Sequence, residues 1–213
     1  MSSLELAEEE VQVYVASLAV SDDRYSELER TLCSDERGRA QNLAPVLARR
    51  FVVARGMLRG LLAGFTGTTA EALRFRYGTS GKPSLAGHEI QFNISHSAEV
   101  GLFAFAHDRA VGIDIENVRP VRRLLDVAQR FLSEDDVRSL AAAPPNERDQ
   151  TFLKAWVVRE ARLKAEGKGI WSGSEIQESV ASLTHRLFAP RPGYIAAVAA
   201  TGSDWRLYTC AMM

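Results

Sequence analysis

Residues 111–116 read V-G-I-D-I-E, and the way this run is taken decides the fold. Side chains alternate across a strand, so Val111, Ile113 and Ile115 fall on one side and Asp114 and Glu116 on the other. The two carboxylates then share a face, with Cα atoms roughly 7 Å apart. A half-exposed strand with its outer face in water accounts for the pattern. A divalent cation held on that face accounts for it too, because it relieves two like charges standing side by side.

The neighbouring segments continue the strand reading. Upstream, I-Q-F-N-I-S-H-S (90–97) and G-L-F-A-F-A (101–106) read as two strands around a polar corner. L-R-F-R-Y (73–77) is another short alternating run, closed by the turn material G-T-S-G-K-P-S (78–84). V-Q-V-Y-V-A-S-L (11–18) is an opening strand, and a helical region follows it, in which Leu47, Phe51, Ala54, Leu58, Leu61, Leu62 and Phe65 gather on one face. Arg50 and Arg55 flank that stripe, where their stems pack while the guanidinium groups reach a cleft. Downstream come helical patterns at 121–131 and 133–142, a break at A-A-P-P-N, and a long helix over 147–166 that Gly167 ends. H-R-L-F, Y-I-A-A-V-A and W-R-L-Y-T-C are the last strand candidates. Strand, helix and strands thus occur twice. The expectation is an α+β fold of two similar halves, residues 1–108 and 109–213.

Composition sets the class. With 213 residues, 46% hydrophobic and 25% charged, the chain reads as an ordinary globular protein. A net charge of −1 implies no bulk attraction to nucleic acid or to an anionic membrane. The one local positive excess lies between Ser34 and Gly60, where Arg37, Arg39, Arg49, Arg50, Arg55 and Arg59 face only Asp35 and Glu36. A solvated helix face or an anion site explains it. Cys33 and Cys210 have neither metal-ligand nor redox-pair spacing. The acidic N-terminus lacks a signal-peptide pattern and no apolar stretch reaches membrane length, so the expected location is the cytoplasm.

Candidate chemistry concentrates in three places. On the long helix, Phe152, Trp156, Arg159 and Leu163 lie along one side, with Glu160 and Lys164 one turn apart at its edge. Such a pair is a common surface stabiliser. Glu160 nevertheless borders the buried stripe, where a carboxylate needs a partner. Asp114, Glu116 and Glu160 together offer three oxygen ligands for an octahedral Mg2+, provided that the helix reaches the strand. His96, between hydroxyls in N-I-S-H-S, is either a hydrogen-bonded structural residue or, protonated, a phosphate ligand. No H-E-x-x-H, G-x-S-x-G, P-loop or dinucleotide fingerprint is present, which removes support from those enzyme classes.

The ordered set G-K-P (81–83), F-N-I-S-H-S (92–97), V-G-I-D-I-E (111–116), F-L-S (131–133) and W-V-V-R-E-A-R-L-K-A-E-G-K-G-I (156–170) resembles the surfactin-synthetase-activating type of 4'-phosphopantetheinyl transferase. The resemblance spans roughly residues 34–170. It implies a monomer of two pseudo-symmetric halves, each a small antiparallel sheet packed with helices, with coenzyme A and Mg2+ in the cleft between them. It implies transfer of the phosphopantetheine arm of coenzyme A to a serine of an apo acyl or peptidyl carrier protein, releasing adenosine 3',5'-bisphosphate. Carried over by position, Asp114, Glu116 and Glu160 are the expected metal ligands and Lys164 the pyrophosphate contact. Arg50, Lys82, Ser95 and His96 are expected coenzyme A contacts, Arg50 and His96 at the 3'-phosphate. The turn with Lys82 and Pro83 would lie beside the adenine, and Arg37 and Arg39 would be outer phosphate contacts. Glu160 is also the favoured proton acceptor.

One position departs from the family pattern, which has Lys before the helix glutamate where this chain has Arg159. Arginine keeps the charge but changes its shape and hydrogen-bond geometry. The competing readings are a non-catalytic coenzyme A-binding scaffold that retains the cleft, and a nucleic-acid module using the arginine-rich helix. Leu124, Leu125 and Phe131 are either a carrier-docking surface or core.

Overall fold

The computed structural model describes residues 4–78, 81–168 and 182–212. Thr79 and Ser80 of the turn, and Gly169 and Ile170 of the long-helix motif, lie outside the described residues. In chain order the elements are β1 (Glu10–Ser17), α1 (Asp22–Arg30), α2 (Ser34–Gln41), α3 (Pro45–Thr66), β2 (Phe75–Tyr77), β3 (Pro83–Leu85), β4 (Ile90–Ser97) and β5 (Val100–His107). They continue with β6 (Val111–Asn117), α4 (Leu124–Phe131), α5 (Glu134–Ala142), α6 (Arg148–Glu166), β7 (Leu183–Phe188), β8 (Tyr194–Thr201) and β9 (Arg206–Ala211).

Two sheets carry the molecule, ordered β4-β5-β1-β9 and β6-β8-β7, and β2 and β3 form a separate two-stranded ribbon. Pairing is antiparallel apart from β1 and β9, which run parallel. The last strand of the chain therefore completes the sheet begun by the first, a pairing that alternation in W-R-L-Y-T-C does not reveal. Alternation does explain the layers. Val11, Val13 and Val15 of β1 pack with Leu102 and Ala104 of β5 against Val111, Ile113 and Ile115 of β6 and Val198 of β8, so the sheets meet face to face. The opposite face of β1 and β5, with Tyr14, Phe103 and Phe105, is covered by Leu58, Leu61 and Leu62 of α3. The opposite face of the second sheet is covered by Phe152, Leu153, Val157 and Ala161 of α6.

The helical region after the first strand divides into three helices. Ser21 caps α1, accepting from the Arg24 amide. Pro45 opens α3, where its missing N–H costs nothing, and Gly67 closes it with a left-handed φ of 66°. Leu47, expected on the buried face, is 52% exposed in the first turn of α3, beyond the reach of the core. Gly167 ends α6 in the left-handed conformation as expected, with φ 69°.

Gly112 fixes how α6 meets β6. A Cβ there would collide with the Ala161 carbonyl oxygen and the Ala165 amide nitrogen, so helix backbone rests on strand backbone. Gly112→Ala is expected to cost roughly 3 kcal/mol, at the upper end for overpacking, because the obstacle is main chain that no rotamer change relieves. Denaturant unfolding of the variant measures this, and an unchanged midpoint would contradict the close approach.

Candidate active site

With α6 pressed onto β6, the face of β6 that carries Asp114 and Glu116 looks toward Glu160 and Lys164. Asp114 is 7% exposed and Glu160 3%. Lys164 Nζ donates to Asp114 Oδ1 at 2.6 Å, to Ser95 Oγ at 3.0 Å and to the Ile113 carbonyl at 3.2 Å. Ser95 in turn donates to Asp114 Oδ1 at 2.9 Å. Strand β4 lies along the edge of β6 that faces away from β8. Its Asn93 accepts from the Ile113 amide at 3.0 Å and its Ser97 from the Asn117 amide at 3.0 Å. The backbone groups of this edge are thus bonded by side chains instead of by another strand. Asn93 was not among the residues predicted from sequence; its position two before Ser95, on the same face of β4, was the available signal.

Each predicted metal ligand has a cationic partner. Asp114 holds Lys164. Glu160 accepts from Arg159 Nη1 at 2.7 Å, and Glu116 from Arg119 Nη1 at 2.8 Å. Among the described residues no three His, Cys, Asp or Glu side chains are gathered into a ready metal cage. The two buried carboxyls are both shifted upward. Burial pushes the Asp114 carboxyl above its ordinary range, against the opposing pull of Lys164. Burial, followed by the charge of Asp114, does the same to Glu160. Hard oxygen donors held in this condition fit a hard cation.

Arg159, which stands where the family pattern has lysine, is buried with its guanidinium 5.4 Å from the Phe131 ring centre and 5.9 Å from that of Trp156. Phe131 meets Trp156 edge-on and is half-buried, Leu124 packs on the α6 core, and Leu125 is 43% exposed. Of the three apolar residues weighed for docking, only Leu125 presents a largely free side chain.

Of the predicted coenzyme A contacts, Arg37, Arg39, Lys82 and Pro83 line two cavities, and Arg50, Ser95 and His96 line neither of these. Arg39, Lys82, Pro83 and Lys164 line a cavity of about 250 Å³ between α3, the β2–β3 ribbon, β4 and the end of α6. Arg37 lines a larger cavity of about 720 Å³, which shares Arg39 and Tyr77 with the first. Ser95 is engaged with Asp114 and Lys164. His96 and Arg50 border the same charge cluster: partial burial lowers the imidazole pKa first, and the charges of Lys164 and Arg50 lower it further.

Lys82 is bound closely into the cleft. Its Nζ donates to the Val111 carbonyl at 2.9 Å and the Ala165 carbonyl at 3.0 Å, joining the ribbon to β6 and α6. Burial lowers its pKa from 10.5 to about 8, although both carbonyls favour the charged form.

The profile of the 4'-phosphopantetheinyl transferase superfamily matches residues 110–206. The chain is 32% identical to the 4'-phosphopantetheinyl transferase HetI of Nostoc sp., over 96% of this chain and 93% of the relative. It is 34% identical to a putative 4'-phosphopantetheinyl transferase of Synechocystis sp., over 67% of this chain and 59% of the relative. It is 31% identical to the 4'-phosphopantetheinyl transferase Sfp of Bacillus subtilis, over 58% and 54%.

The Lys82 shift has a definite sign. Between about 8 and 10.5 the unfolded chain keeps this proton while the folded protein releases it, so stability rises with pH across that window and the contribution is lost as pH falls through about 8. Unfolding free energies of wild type and Lys82→Met, measured from pH 7 to 10.5, are expected to diverge in favour of wild type as pH climbs. Parallel curves would contradict the assignment.

Proposed function

The chain belongs to the 4'-phosphopantetheinyl transferase superfamily, and from that premise we propose that its cleft performs the Mg2+-dependent transfer of phosphopantetheine from coenzyme A to a serine of an apo acyl or peptidyl carrier protein. The observation that carries this reading is the convergence of Asp114, Glu160 and Lys164 at the floor of a cleft whose adjoining cavity is lined by cations. The reading places the reaction in the cytoplasm, with the protein acting as a monomer. Among the described residues no helix is long and apolar enough to cross a membrane, and both cysteines are free.

The chemistry follows from the charges. A serine hydroxyl attacks the β-phosphorus, forming one P–O bond and breaking the bond to the bridging oxygen, and adenosine 3',5'-bisphosphate leaves. Lys164 is placed to offset charge on the pyrophosphate as the bridge breaks. Ser95 and Asp114 hold its ammonium in place. Glu160 accepts the hydroxyl proton, directly or through an intervening water, a role favoured by a carboxyl held above its ordinary range. Asp114, Glu116 and Glu160 would hold Mg2+, which when bound supplies further neutralisation of the pyrophosphate. Arg50 and His96 are assigned to the 3'-phosphate, Lys82 and Pro83 to the adenine side, Ser95 to the pantetheine-phosphate side, and Arg37 and Arg39 to the outer rim.

Incubation with coenzyme A, Mg2+ and a panel of apo carriers is expected to add one phosphopantetheine to a carrier by mass spectrometry. Chelator should abolish the gain, and Glu160→Gln should lower the rate by about a hundredfold or more. Coenzyme A binding without transfer to any carrier would favour the scaffold reading instead.

His96 supplies an independent check. Its imidazole pKa should lie below 6.5 in the free protein and rise when adenosine 3',5'-bisphosphate binds, because an adjacent phosphate favours the imidazolium. An imidazole NMR titration that does not move with ligand would remove His96 from the site.

A further inference from the structure

Strand β6 has one edge bonded to β8 and another that faces β4, and on the second edge side chains meet the backbone groups. Lys82 donates to the Val111 carbonyl and Lys164 to the Ile113 carbonyl, while Asn93 accepts from the Ile113 amide and Ser97 from the Asn117 amide. Ile113 is thus held twice, its amide by β4 of the first half and its carbonyl by α6 of the second. The next residue along the strand is Asp114. Whatever fixes Ile113 therefore fixes the point from which the Asp114 carboxylate sets out.

Asn93 suits this hold by position and by chemistry. Alternation along β4 sends Phe92 and Ile94 into the core beneath α3, and Asn93, Ser95 and Ser97 to the opposite face. The two serines are half-buried, whereas Asn93 is 8% exposed. A backbone N–H can be met only by the oxygen of a carboxamide, so the 3.0 Å bond from Ile113 fixes which way Asn93 points. An apolar side chain here would leave the Ile113 N–H buried and unpaired, and the strand would shift toward another acceptor. That shift would reach the Ile113 carbonyl and Asp114, the two acceptors that Lys164 bridges at 3.2 and 2.6 Å.

We propose that Asn93 is a positioning residue for the transfer reaction: through the Ile113 amide it fixes β6 against β4, and with it the place where Asp114 and Lys164 meet. The inference rests on the transferase reading of the same cleft. It gives a role to a residue of the F-N-I-S-H-S run that the motif comparison leaves unassigned, and Asn93 acts through the strand without touching the reacting atoms.

The test compares wild type, Asn93→Leu and Asn93→Asp by amide hydrogen exchange at Ile113, by steady-state transfer to an apo carrier and by calorimetric titration with coenzyme A. Rates are taken below the melting onset of the least stable variant. Asn93→Leu keeps the shape of the side chain but lacks the acceptor. It is expected to speed exchange at Ile113 by about tenfold or more and to lower kcat by about ten- to a hundredfold, the range for a buried donor left unpaired, with KM and affinity for coenzyme A within about threefold of wild type. Asn93→Asp keeps an oxygen for Ile113, so it should recover the protection of that amide and most of kcat, its added charge showing only in coenzyme A affinity. A lower melting temperature in Asn93→Leu with kcat unchanged makes the residue structural and overturns the proposal. A loss confined to KM and coenzyme A affinity overturns it too, by making Asn93 a substrate contact, as does a kcat in Asn93→Asp as low as in Asn93→Leu. If wild type modifies no carrier, the transferase reading fails, and exchange at Ile113 decides the remainder: faster in Asn93→Leu, the hold of Asn93 on β6 stands, and unchanged, it falls as well.

Discussion

The contact on which the rest of the site depends is between two stretches of main chain, β6 at Gly112 and α6 at Ala161 and Ala165. Helices usually lie on sheets at a separation set by the side chains between them. Here one residue without a side chain lets the helix come down until backbone meets backbone. Glu160 and Lys164 flank that contact on α6, and Asp114 lies two residues along β6. Their meeting follows from the approach of the elements and needs no long side chain to span a gap. Lys164 can then reach Asp114 and the Ile113 carbonyl together.

The same closeness creates an electrostatic problem, which is solved locally. Asp114 and Glu160 are both buried, which raises both carboxyls, and the charge of Asp114 raises that of Glu160 further. Lys164 and Arg159 offset this from opposite sides. Removing either cation would leave a buried carboxylate uncompensated, a far larger penalty than the net worth of the pair. Glu116 differs, since its partner Arg119 is more than half exposed and contributes little. The three carboxylates predicted as equivalent ligands are therefore unequal: two belong to a buried charge network and one stands at its wet margin.

Much of this was legible in the sequence. Alternation located β1, β4, β5, β6 and β8, a period near 3.6 located α3 and α6, and Gly167 marked the end of α6. What stayed hidden was non-local. Nothing in W-R-L-Y-T-C states that β9 lies parallel to β1, because period 2 fixes faces and leaves the partner open. Gly112 passed as one residue of an alternating strand, although it decides whether the helix reaches the acids. The arginine excess between Ser34 and Gly60 was visible, but its division was not. Arg49 pairs with Asp22 at the surface, while Arg59 and Arg55 share the buried Glu36, Arg59 at 2.7 Å and Arg55 at 3.5 Å. That division depends on which guanidinium wins one carboxylate, and composition carries no information about it.

A common device links the two sides of the cleft. Arg39 stands over Phe51, Arg55 over Phe51 and Phe75, Arg59 over Phe75, and Arg159 over Phe131 and Trp156. A guanidinium is weakly hydrated and planar, so a ring face can take the place of part of its water shell while its N–H edge remains available to an acceptor. A lysine at these positions would keep the charge but lose the flat contact, and its compact ammonium would be free to follow whichever anion is nearest. This gives the arginine at position 159 a physical meaning. Lodged against Phe131 and Trp156, it gives Glu160 a partner whose position is set by packing, so the orientation of the carboxylate beside Asp114 and Lys164 is inherited from the aromatic core of the second half.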